Sequence, residues 1–286
     1  MYFVRTLQDT KLTQPFYSIK TNLWDTSELL CTFGNGIVAV EKVSGNLVTL
    51  AGNITHPDNV FNRLPLLARF DSVRSLEQLD ANQKLTVFFT DMNNHCVRSM
   101  ENTKKNDHTS WVMVSFAGSC GIPADKFNKQ ATHISEMKFS YPQALAMNKR
   151  PDEDIICLFV LELSGKIKRI AINNGLTQTA MPLGVATLPE GQYNHLNMMS
   201  ISSTSDFPHL WTSRNHGIMR RFPGAGGANF ALTQLILGGE HSGFKDGSIH
   251  EALFNNPWGF TKLENLMVCD AQLGVFFPRR RSVACY

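Results

Sequence analysis

The sequence predicts an all-β fold built from repeated units, and three observations support this. Short apolar or alternating runs recur along the chain, whereas the 3.6-residue period of amphipathic helices is scarce. These runs are rich in β-branched and aromatic residues and are bounded by Gly, Asn, Asp, Ser and Pro, which is typical of strands and turns. Two short landmarks also return several times. A chain of 286 residues with 43% hydrophobic content can bury a sizeable core, and many short strands fit a sandwich, a barrel or a propeller.

The first landmark is a strand that ends in a small glycine turn. It reads VTLAGN, VSFAGS, AMPLGVA and LILGGE, and its glycines are Gly52, Gly118, Gly184 and Gly239. The glycines are spaced more widely than the roughly 40–50 residues of common propeller blades. We therefore expect an insertion after each turn, in residues 53–73, 119–141, 185–196 and 240–257.

The second landmark is an apolar strand, a polar turn and a strand that carries Arg or Lys among apolar residues. Its copies are residues 29–43, 86–100, 158–172, 209–222 and 265–277. Antiparallel strands need tight turns, which Asp, Asn and Gly supply through side-chain hydrogen bonds and positive φ. Because one such unit cannot bury both of its faces, we expect the units to stack on one another.

The segment GGEHSGFKDGSIHEALFNNPWGF, followed by LENLMVCD, resembles the NHL-repeat β-propeller family. The match in this fifth copy rests on Phe254, Asn256, Pro257, Gly259 and Asp270. In the second copy, Asp91, Asn94, His95 and Arg98 stand at the positions of the motif that names the family. The third copy keeps Phe139, Tyr141 and Pro142 but has Glu162 where Asp is usual, and the fourth has no Asp there. The resemblance covers nearly the whole chain, with degenerate repeats.

The resemblance implies one β-propeller domain spanning residues 1–286, with about five four-stranded blades whose strands run from inner to outer in chain order. Six blades are the alternative that the family suggests. An apolar run in residues 2–7 precedes the first blade and could complete the last one. Closing the ring in this way would protect the edges of both blades.

The long insertions are expected to gather on one face of the disc, where a rigid scaffold presents loops for binding. Their mixed charges and aromatic residues fit a protein partner better than a phosphate backbone. We therefore predict a non-catalytic protein-interaction module or structural subunit of a larger assembly, with no cofactor. The candidate partner-binding residues are Phe61, Arg63, Lys126, Phe127, Tyr193, His241, Phe244, Lys245 and His250.

Two other functions stay open. An RNA-binding propeller would use the basic and aromatic residues of the fourth copy, namely Trp211, Arg214, His216, Arg220 and Arg221. A propeller lyase or hydrolase with a metal in the central channel would need convergent His, Asp or Glu residues on the inner strands, where Glu77 is the main candidate.

The cluster of His241, Asp246, His250 and Glu251 could suggest a metal site. Its spacing matches neither HExxH nor a calcium loop, so we assign structural roles to this segment and predict no metal site.

Composition constrains the compartment only loosely. The net charge is +3, no run reaches about 18 apolar residues, and the N-terminus lacks the apolar stretch of a signal peptide. This favours an intracellular protein, although a mature fragment of an extracellular one would look the same. Cys31, Cys157 and Cys269 lie in apolar runs and are predicted to be buried thiols, while disulfide pairing stays open. A single sequon, Asn53-Ile54-Thr55, is expected by chance at this length.

Overall fold

The computed structural model describes residues 16–124, 134–149, 155–173, 177–186, 198–201, 209–214, 216–222, 232–238, 241–243, 245, 251–255, 257–262 and 266–270. Within these ranges the chain forms β-strands and three short 3₁₀-helices but no α-helix, so the predicted all-β class is confirmed. None of the helices described is long and apolar enough to cross a membrane. Antiparallel sheets of four strands in chain order are consistent with a propeller-like fold.

The chain divides into two compact units, Met1–Pro123 and Ala124–Tyr286. Unit 1 contains two four-stranded antiparallel sheets, each ordered as the chain runs. The first sheet consists of β1 (Phe16–Thr21), β2 (Glu28–Phe33), β3 (Gly36–Glu41) and β4 (Leu47–Gly52). The second consists of β5 (Val73–Ala81), β6 (Lys84–Asp91), β7 (Cys96–Asn102) and β8 (Val112–Ala117). The 3₁₀-helices of this unit are Pro65–Leu67 and His108–Ser110.

Among its described residues, unit 2 has a 3₁₀-helix at Ile134–Glu136 followed by three sheets. One sheet is formed by β9 (Pro142–Lys149), β10 (Ile155–Glu162), β11 (Ile167–Asn173) and β12 (Thr177–Ala186). The next is formed by β13 (Met198–Ile201), β14 (His209–Arg214), β15 (Gly217–Phe222) and β16 (Leu232–Gly238). The last is the antiparallel pair β17 (Pro257–Lys262) and β18 (Leu266–Asp270).

The predicted hairpins are β2–β3, β6–β7, β10–β11 and β14–β15, and each pairs in antiparallel register. The fifth copy begins with β18, and its remainder lies outside the described residues, as do residues 2–7. Blade number and ring closure therefore stay predictions. Strand β1 is an addition to the predicted set. Its residues are half-buried or exposed, so its sequence FYSIKT lacks the apolar alternation that identified the other strands.

The core of unit 1 joins both of its sheets. Leu30, Ile37 and Leu50 from the first sheet pack with Leu76 and Val87 from the second, all nearly inaccessible to solvent. Burial of side chains of this size is worth about 1.5–3 kcal/mol each. This shared core fixes the two sheets against each other and gives the loop between them a rigid base.

Of the predicted turn glycines, Gly52 has the expected conformation, whereas the positions assigned to Gly239 and Gly184 need correction. Gly52 has a φ of 81° and pairs with Gly36, and an added Cβ would collide with the Asn35 carbonyl and lie 2.7 Å from the Phe70 ring. Gly238, with a φ of 82°, pairs with Gly217 and occupies the equivalent position that the sequence assigned to Gly239. The sequence alone could not distinguish these two glycines, because Gly238 and Gly239 are adjacent. Gly184 lies within β12, so this strand does not end at the glycine as the sequence predicted.

The cysteines divide into two groups. Cys31 in β2 is a buried free thiol, as predicted, whereas Cys157 in β10, which was also predicted to be buried, is only half-buried. Cys269 lies in a strand, β18, as predicted. Its side chain is outside the described part, so its burial stays a prediction. Cys96 and Cys120 form a disulfide, with their Cα atoms 5.0 Å apart.

Candidate functional site

Three loops that follow the fourth strand of a sheet share one backbone pattern in the described residues. Each folds back so that an early N–H donates to the carbonyl of a phenylalanine just before the next sheet. The pairs are Asp58 to Phe70 (3.1 Å), Ala124 to Phe139 (2.9 Å) and Gly243 to Phe254 (3.2 Å). Two of these loops continue as a short antiparallel bridge, Val60 with Arg69 and Lys245 with Leu253. Three of the four predicted insertions therefore share this regular pattern, and the one at residues 185–196 lies almost wholly outside the described residues.

The loop of residues 53–72, here called the first loop, is held at its base by a buried carboxylate. Asp91, at the end of β6, is fully buried. It accepts hydrogen bonds from the Asp71 N–H (2.8 Å), from Asn94 Nδ2 (3.0 Å) and from Arg98 Nε (2.7 Å). Burial raises the pKa of Asp91 and is opposed by the Arg98 charge and these hydrogen bonds. Because Asp91 serves only as an acceptor here, the site suits its carboxylate form.

The same network reaches further into the first loop. The Arg98 side chain is buried, donates from Nη2 to Asn59 Oδ1 (2.7 Å), and lies 5.2 Å from the centre of the Phe70 ring. Asn94 also donates to the Asp58 carbonyl (2.9 Å). A buried ion pair that is supported by further hydrogen bonds fixes geometry, and breaking it is costly. Three of the positions that the resemblance marked in the second copy, Asp91, Asn94 and Arg98, therefore have a structural role, to hold this loop in place.

A second clamp comes from the residues after β8. The Gly121 N–H donates to the Asn94 carbonyl (2.7 Å), and Gly121 packs closely against Asn59. The disulfide ties Cys120, in the same segment, to Cys96 at the start of β7. Within unit 1, the beginning of the second predicted insertion thus lies against the first loop.

The tip of the first loop, residues 60–67, is apolar and open to solvent. Its exposed side chains and their exposed fractions are Val60 (38%), Phe61 (51%), Leu64 (61%), Leu66 (57%) and Leu67 (52%). The backbone beneath them is fixed, because Arg69 donates from Nη1 to the carbonyls of Leu66 and Ala68. The Arg63 carbonyl also accepts from the Met113 N–H of β8 (3.0 Å). Large apolar side chains at adjacent positions on a fixed loop are typical of a binding surface.

Unit 2 contains an equivalent of the Asp91 site with different residues. Glu162 at the end of β10 is buried and accepts from the Ser140 N–H (3.0 Å) and Lys168 Nζ (2.6 Å). Lys168 lies 5.2 Å from the centre of the Phe139 ring and also donates to the Lys138 carbonyl. In both units, the carboxylate binds the N–H that follows the phenylalanine, and the cation covers its ring. Glu162, which departs from the family pattern, keeps the function of Asp91.

The first strands of the two sheets in unit 1 meet through polar side chains. Lys20 Nζ lies 2.9 Å from Glu77 Oε1, and the Arg74 guanidinium stacks on the Tyr17 ring at 3.9 Å. Burial raises the pKa of Glu77 and lowers that of Arg74. Gln78 adds bonds to the Thr21 carbonyl and the Leu23 N–H. Glu77, which the sequence offered as an ionisable inner-strand group, is thus held by an ion pair between two strands.

The sequence-predicted partner-binding residues have different outcomes. Phe61 and Arg63 lie exposed in the tip of the first loop, and His241 and Lys245 are exposed in the corresponding loop of unit 2. Five others lie outside the described residues: Lys126, Phe127, Tyr193, Phe244 and His250. The neighbours Leu64, Leu66 and Leu67 were missed, although the run RLPLL offered a signal, since several apolar residues in a loop have no strand or helix to bury them.

The alternative RNA-binding residues lie on one hairpin. Across β14 and β15, Trp211 pairs with Arg220 and Arg214 pairs with Gly217. His216 directly precedes Gly217 in the turn between the two strands. Trp211 and His216 are half-buried, while the side chains of Arg214, Arg220 and Arg221 are outside the described part. The pairing places Trp211 and Arg220 side by side in the sheet.

For the segment that first suggested a metal site, His241 and Glu251 are exposed, and Asp246 and His250 lie outside the described residues. In the ranges that the structure describes, no group of three or more His, Cys, Asp or Glu residues could hold a metal ion. The described part of this segment forms the Lys245–Leu253 bridge, a role in loop structure.

Comparison with known proteins bears on the fold alone. No model of a known family and no curated protein sequence matches this chain. Among solved structures, it is similar to a Bacteroides thetaiotaomicron protein named "Putative phosphatase", with 13% identity, a TM-score of 0.51, and coverage of 85% of this chain and 50% of that one. This chain therefore spans half the length of that protein.

Two further solved structures have lower TM-scores. A Bacteroides thetaiotaomicron structural genomics protein of unknown function has 17% identity and a TM-score of 0.41, over 85% of this chain and 68% of that one. The PQQ-bound aldose sugar dehydrogenase of Streptomyces coelicolor has 12% identity and a TM-score of 0.36, over 79% and 82%. Neither adds to the functional argument.

Proposed function

We propose that this chain is a non-catalytic protein-interaction module whose docking surface is the tip of the first loop. The observation that carries the proposal is the set of large apolar side chains exposed together at this tip, from Val60 to Leu67. Exposed apolar patches on folded proteins commonly mark sites where another protein binds.

The way the loop is held supports the proposal. A flexible loop would lose conformational entropy on docking, at about 0.5–1.5 kcal/mol for each side chain that becomes ordered. Here the Asp91–Arg98 pair, the Asn94 hydrogen bonds and the Arg63–Met113 backbone bond fix the main chain before a partner arrives. The cost of ordering the main chain is thereby met on folding, which leaves only the tip side chains to become ordered on docking.

The composition of the tip favours a protein over a nucleic acid. Protein interfaces have apolar, aromatic centres depleted of charged residues, with arginine the frequent exception. The tip has Phe61 and three leucines, and its single charged residue is Arg63. A nucleic-acid site would instead need several cations along a track.

The test is binding by a double variant, Phe61→Ser with Leu66→Ser. Each side chain is about half exposed, so a partner that covers both gains about 1 kcal/mol from each. Loss of both predicts roughly 30-fold weaker binding. The partner is first recovered by affinity purification of the full chain from its native source and is then measured against purified variants. Thermal unfolding should show that the double variant keeps the fold.

Val48→Thr is the matched control, since Val48 is 45% exposed on β4, outside the first loop. Equal binding by the double variant and the control would overturn the proposal. Failure to recover any stable partner would count against it. Bound material that ribonuclease removes, and whose affinity for the chain falls steeply with salt, would support the RNA alternative instead. A stoichiometric metal in the purified chain would favour the metal-dependent lyase or hydrolase alternative.

We further propose that the chain is a single NHL-type propeller domain of about five blades, serving as a structural subunit of an assembly. Two closely parallel sites support this, Asp91 with Arg98 and Glu162 with Lys168, each joined to the residue after a buried phenylalanine. The order of strands within each sheet is that of a propeller blade. An experimental structure of the full chain that showed an open stack of sheets would contradict it.

A further inference from the structure

The first loop begins with the chain's single Asn-x-Ser/Thr sequon, Asn53-Ile54-Thr55. By itself such a triplet says little, because the pattern arises by chance. Two independent features of the structure give it significance: the way the triplet is presented, and the disulfide in the same unit.

The presentation leaves the reactive nitrogen available. Asn53 Oδ1 accepts hydrogen bonds from the N–H groups of Thr55 (3.2 Å) and His56 (3.3 Å). Its Nδ2 donates to no group in the described part of the chain. Thr55 is exposed and its hydroxyl lies 3.2 Å from Asn53 Oδ1. The amide is therefore oriented by its oxygen, while its nitrogen is unused.

The middle residue of the triplet explains this orientation. Ile54 packs against the buried cluster of Cys31, Phe33 and Val38, and its carbonyl accepts from the N–H and Nδ2 of Asn35. The carbonyl bonds and the apolar contact fix Ile54 in the protein. Asn53 is half-exposed and Thr55 exposed on either side of this anchor. A bulky group on Nδ2 would displace no described hydrogen bond.

The disulfide indicates the compartment. Cys96 is fully buried and is bonded to Cys120 in the segment that clamps the first loop. Structural disulfides form and persist in oxidising compartments and are rare where thiols are kept reduced. The same oxidising route is the one in which Asn-x-Ser/Thr sites are modified.

We propose that Asn53 is a site of N-linked glycosylation and that the chain matures in an oxidising, glycosylating compartment. The co-substrate would be an oligosaccharide joined through its anomeric carbon to a lipid diphosphate. Asn53 Nδ2 forms a bond to that carbon, the bond from the carbon to the diphosphate oxygen breaks, and the lipid diphosphate leaves with the electron pair. The amide nitrogen releases one proton, and no redox change occurs. This inference does not depend on the docking proposal.

The experiment is mass spectrometry of the chain purified from its native source without reductant. Trypsin releases residues 43–63 as one peptide, since Lys42 and Arg63 bound it. Peptide-N-glycosidase in heavy-oxygen water should convert Asn53, and no other asparagine of the peptide, to a labelled aspartate. Asn46, Asn59 and Asn62 lack a hydroxyl residue two positions later and serve as internal controls. Thiol alkylation of the unfolded, unreduced chain before digestion should leave Cys96 and Cys120 unlabelled and should label Cys31.

Variants produced in cells that secrete glycoproteins extend the test. Thr55→Ser should keep the mobility shift that the glycosidase removes, whereas Thr55→Ala and Asn53→Gln should abolish it. An unmodified Asn53 in the native-source chain would overturn the proposal, as would recovery of Cys96 and Cys120 as free thiols. A shift that persists in Asn53→Gln would place the glycan elsewhere and overturn it as well.

Discussion

The replacement of Asp91 by asparagine is expected to destabilise unit 1 strongly while preserving side-chain shape. The Arg98 side chain is only 4% exposed, so loss of the carboxylate leaves a buried guanidinium without its counter-charge. Removing one partner of a buried ion pair typically costs about 3–5 kcal/mol. Burial already raises the pKa of Asp91, which shows that the carboxylate itself carries a desolvation cost. Asparagine avoids this cost, so we expect a loss near the lower end, about 3 kcal/mol.

Urea unfolding of the full chain measures this loss. The quantity compared between variant and wild type is the free energy of unfolding in the transition that includes unit 1. Limited trypsin digestion adds a local readout, because Arg63 lies in the loop that Asp91 holds, and faster cleavage there reports opening of the first loop. Asp80→Asn is the control, since Asp80 is exposed at the end of β5 and should change stability by less than about 0.5 kcal/mol.

A double variant decides whether the buried charge is the cause. Arg98→Met in the Asp91→Asn background removes the unpaired guanidinium and should recover part of the lost stability. If Asp91→Asn lost less than about 1 kcal/mol, or if the second substitution only added a further loss, the assignment of Asp91 as the fastener of the first loop would be refuted.

Three other predictions concern unit 1. Gly52→Ala should lower the free energy of unfolding by at least about 2 kcal/mol, because alanine is strained at this positive φ and its Cβ would clash with Phe70. A urea titration measures this loss, and a variant as stable as the wild type would contradict the geometry. Burial raises the pKa of Cys31 to about 12, so native protein should leave this thiol unalkylated at pH 8, with labelling only on unfolding. Hydrogen bonds from Ser27 lower the pKa of Asp25, so Ser27→Ala should raise its NMR titration midpoint, and an unmoved midpoint would disprove that cause. A depressed pKa also means that any stabilisation from Asp25 is lost only as the pH falls through the folded-state value.

The sequence predicted the strands that bury one or both faces, because burial leaves a periodic apolar signature. It also located Asp91, Asn94 and Arg98 through the resemblance to a repeat. Strand β1 was missed because its residues stay partly exposed and hold β5 by polar contacts such as Lys20 with Glu77. Such pairs join residues far apart in the chain, and a single sequence has no local signal for them.

The disulfide was left open for a related reason. Six cysteines at irregular spacing allow many pairings, and only the fold brings Cys96 to Cys120. The loops present the opposite case. Three of them have a phenylalanine shortly before the next sheet, and the sequence shows this residue. They were nevertheless interpreted as insertions, because the hydrogen bonds that fold them, such as that from Asp58 to Phe70, are made by backbone atoms and leave no sequence signal.

The pair Glu162–Lys168 shows that this repeat accepts different residues in the ion pair when side-chain length compensates for the number of residues between them. Between carboxylate and cation there are five residues in unit 2 and six in unit 1, since Glu162 and Lys168 replace Asp91 and Arg98. Glutamate is one methylene longer than aspartate, and this added length accompanies the shorter turn. A search that scores residue identity discounts this copy, whereas one that scores charge together with side-chain length would accept it. For protein engineers, the two pairs are two different ways to hold a loop against its sheet, and using both could distinguish the sheets of a redesigned repeat protein from one another.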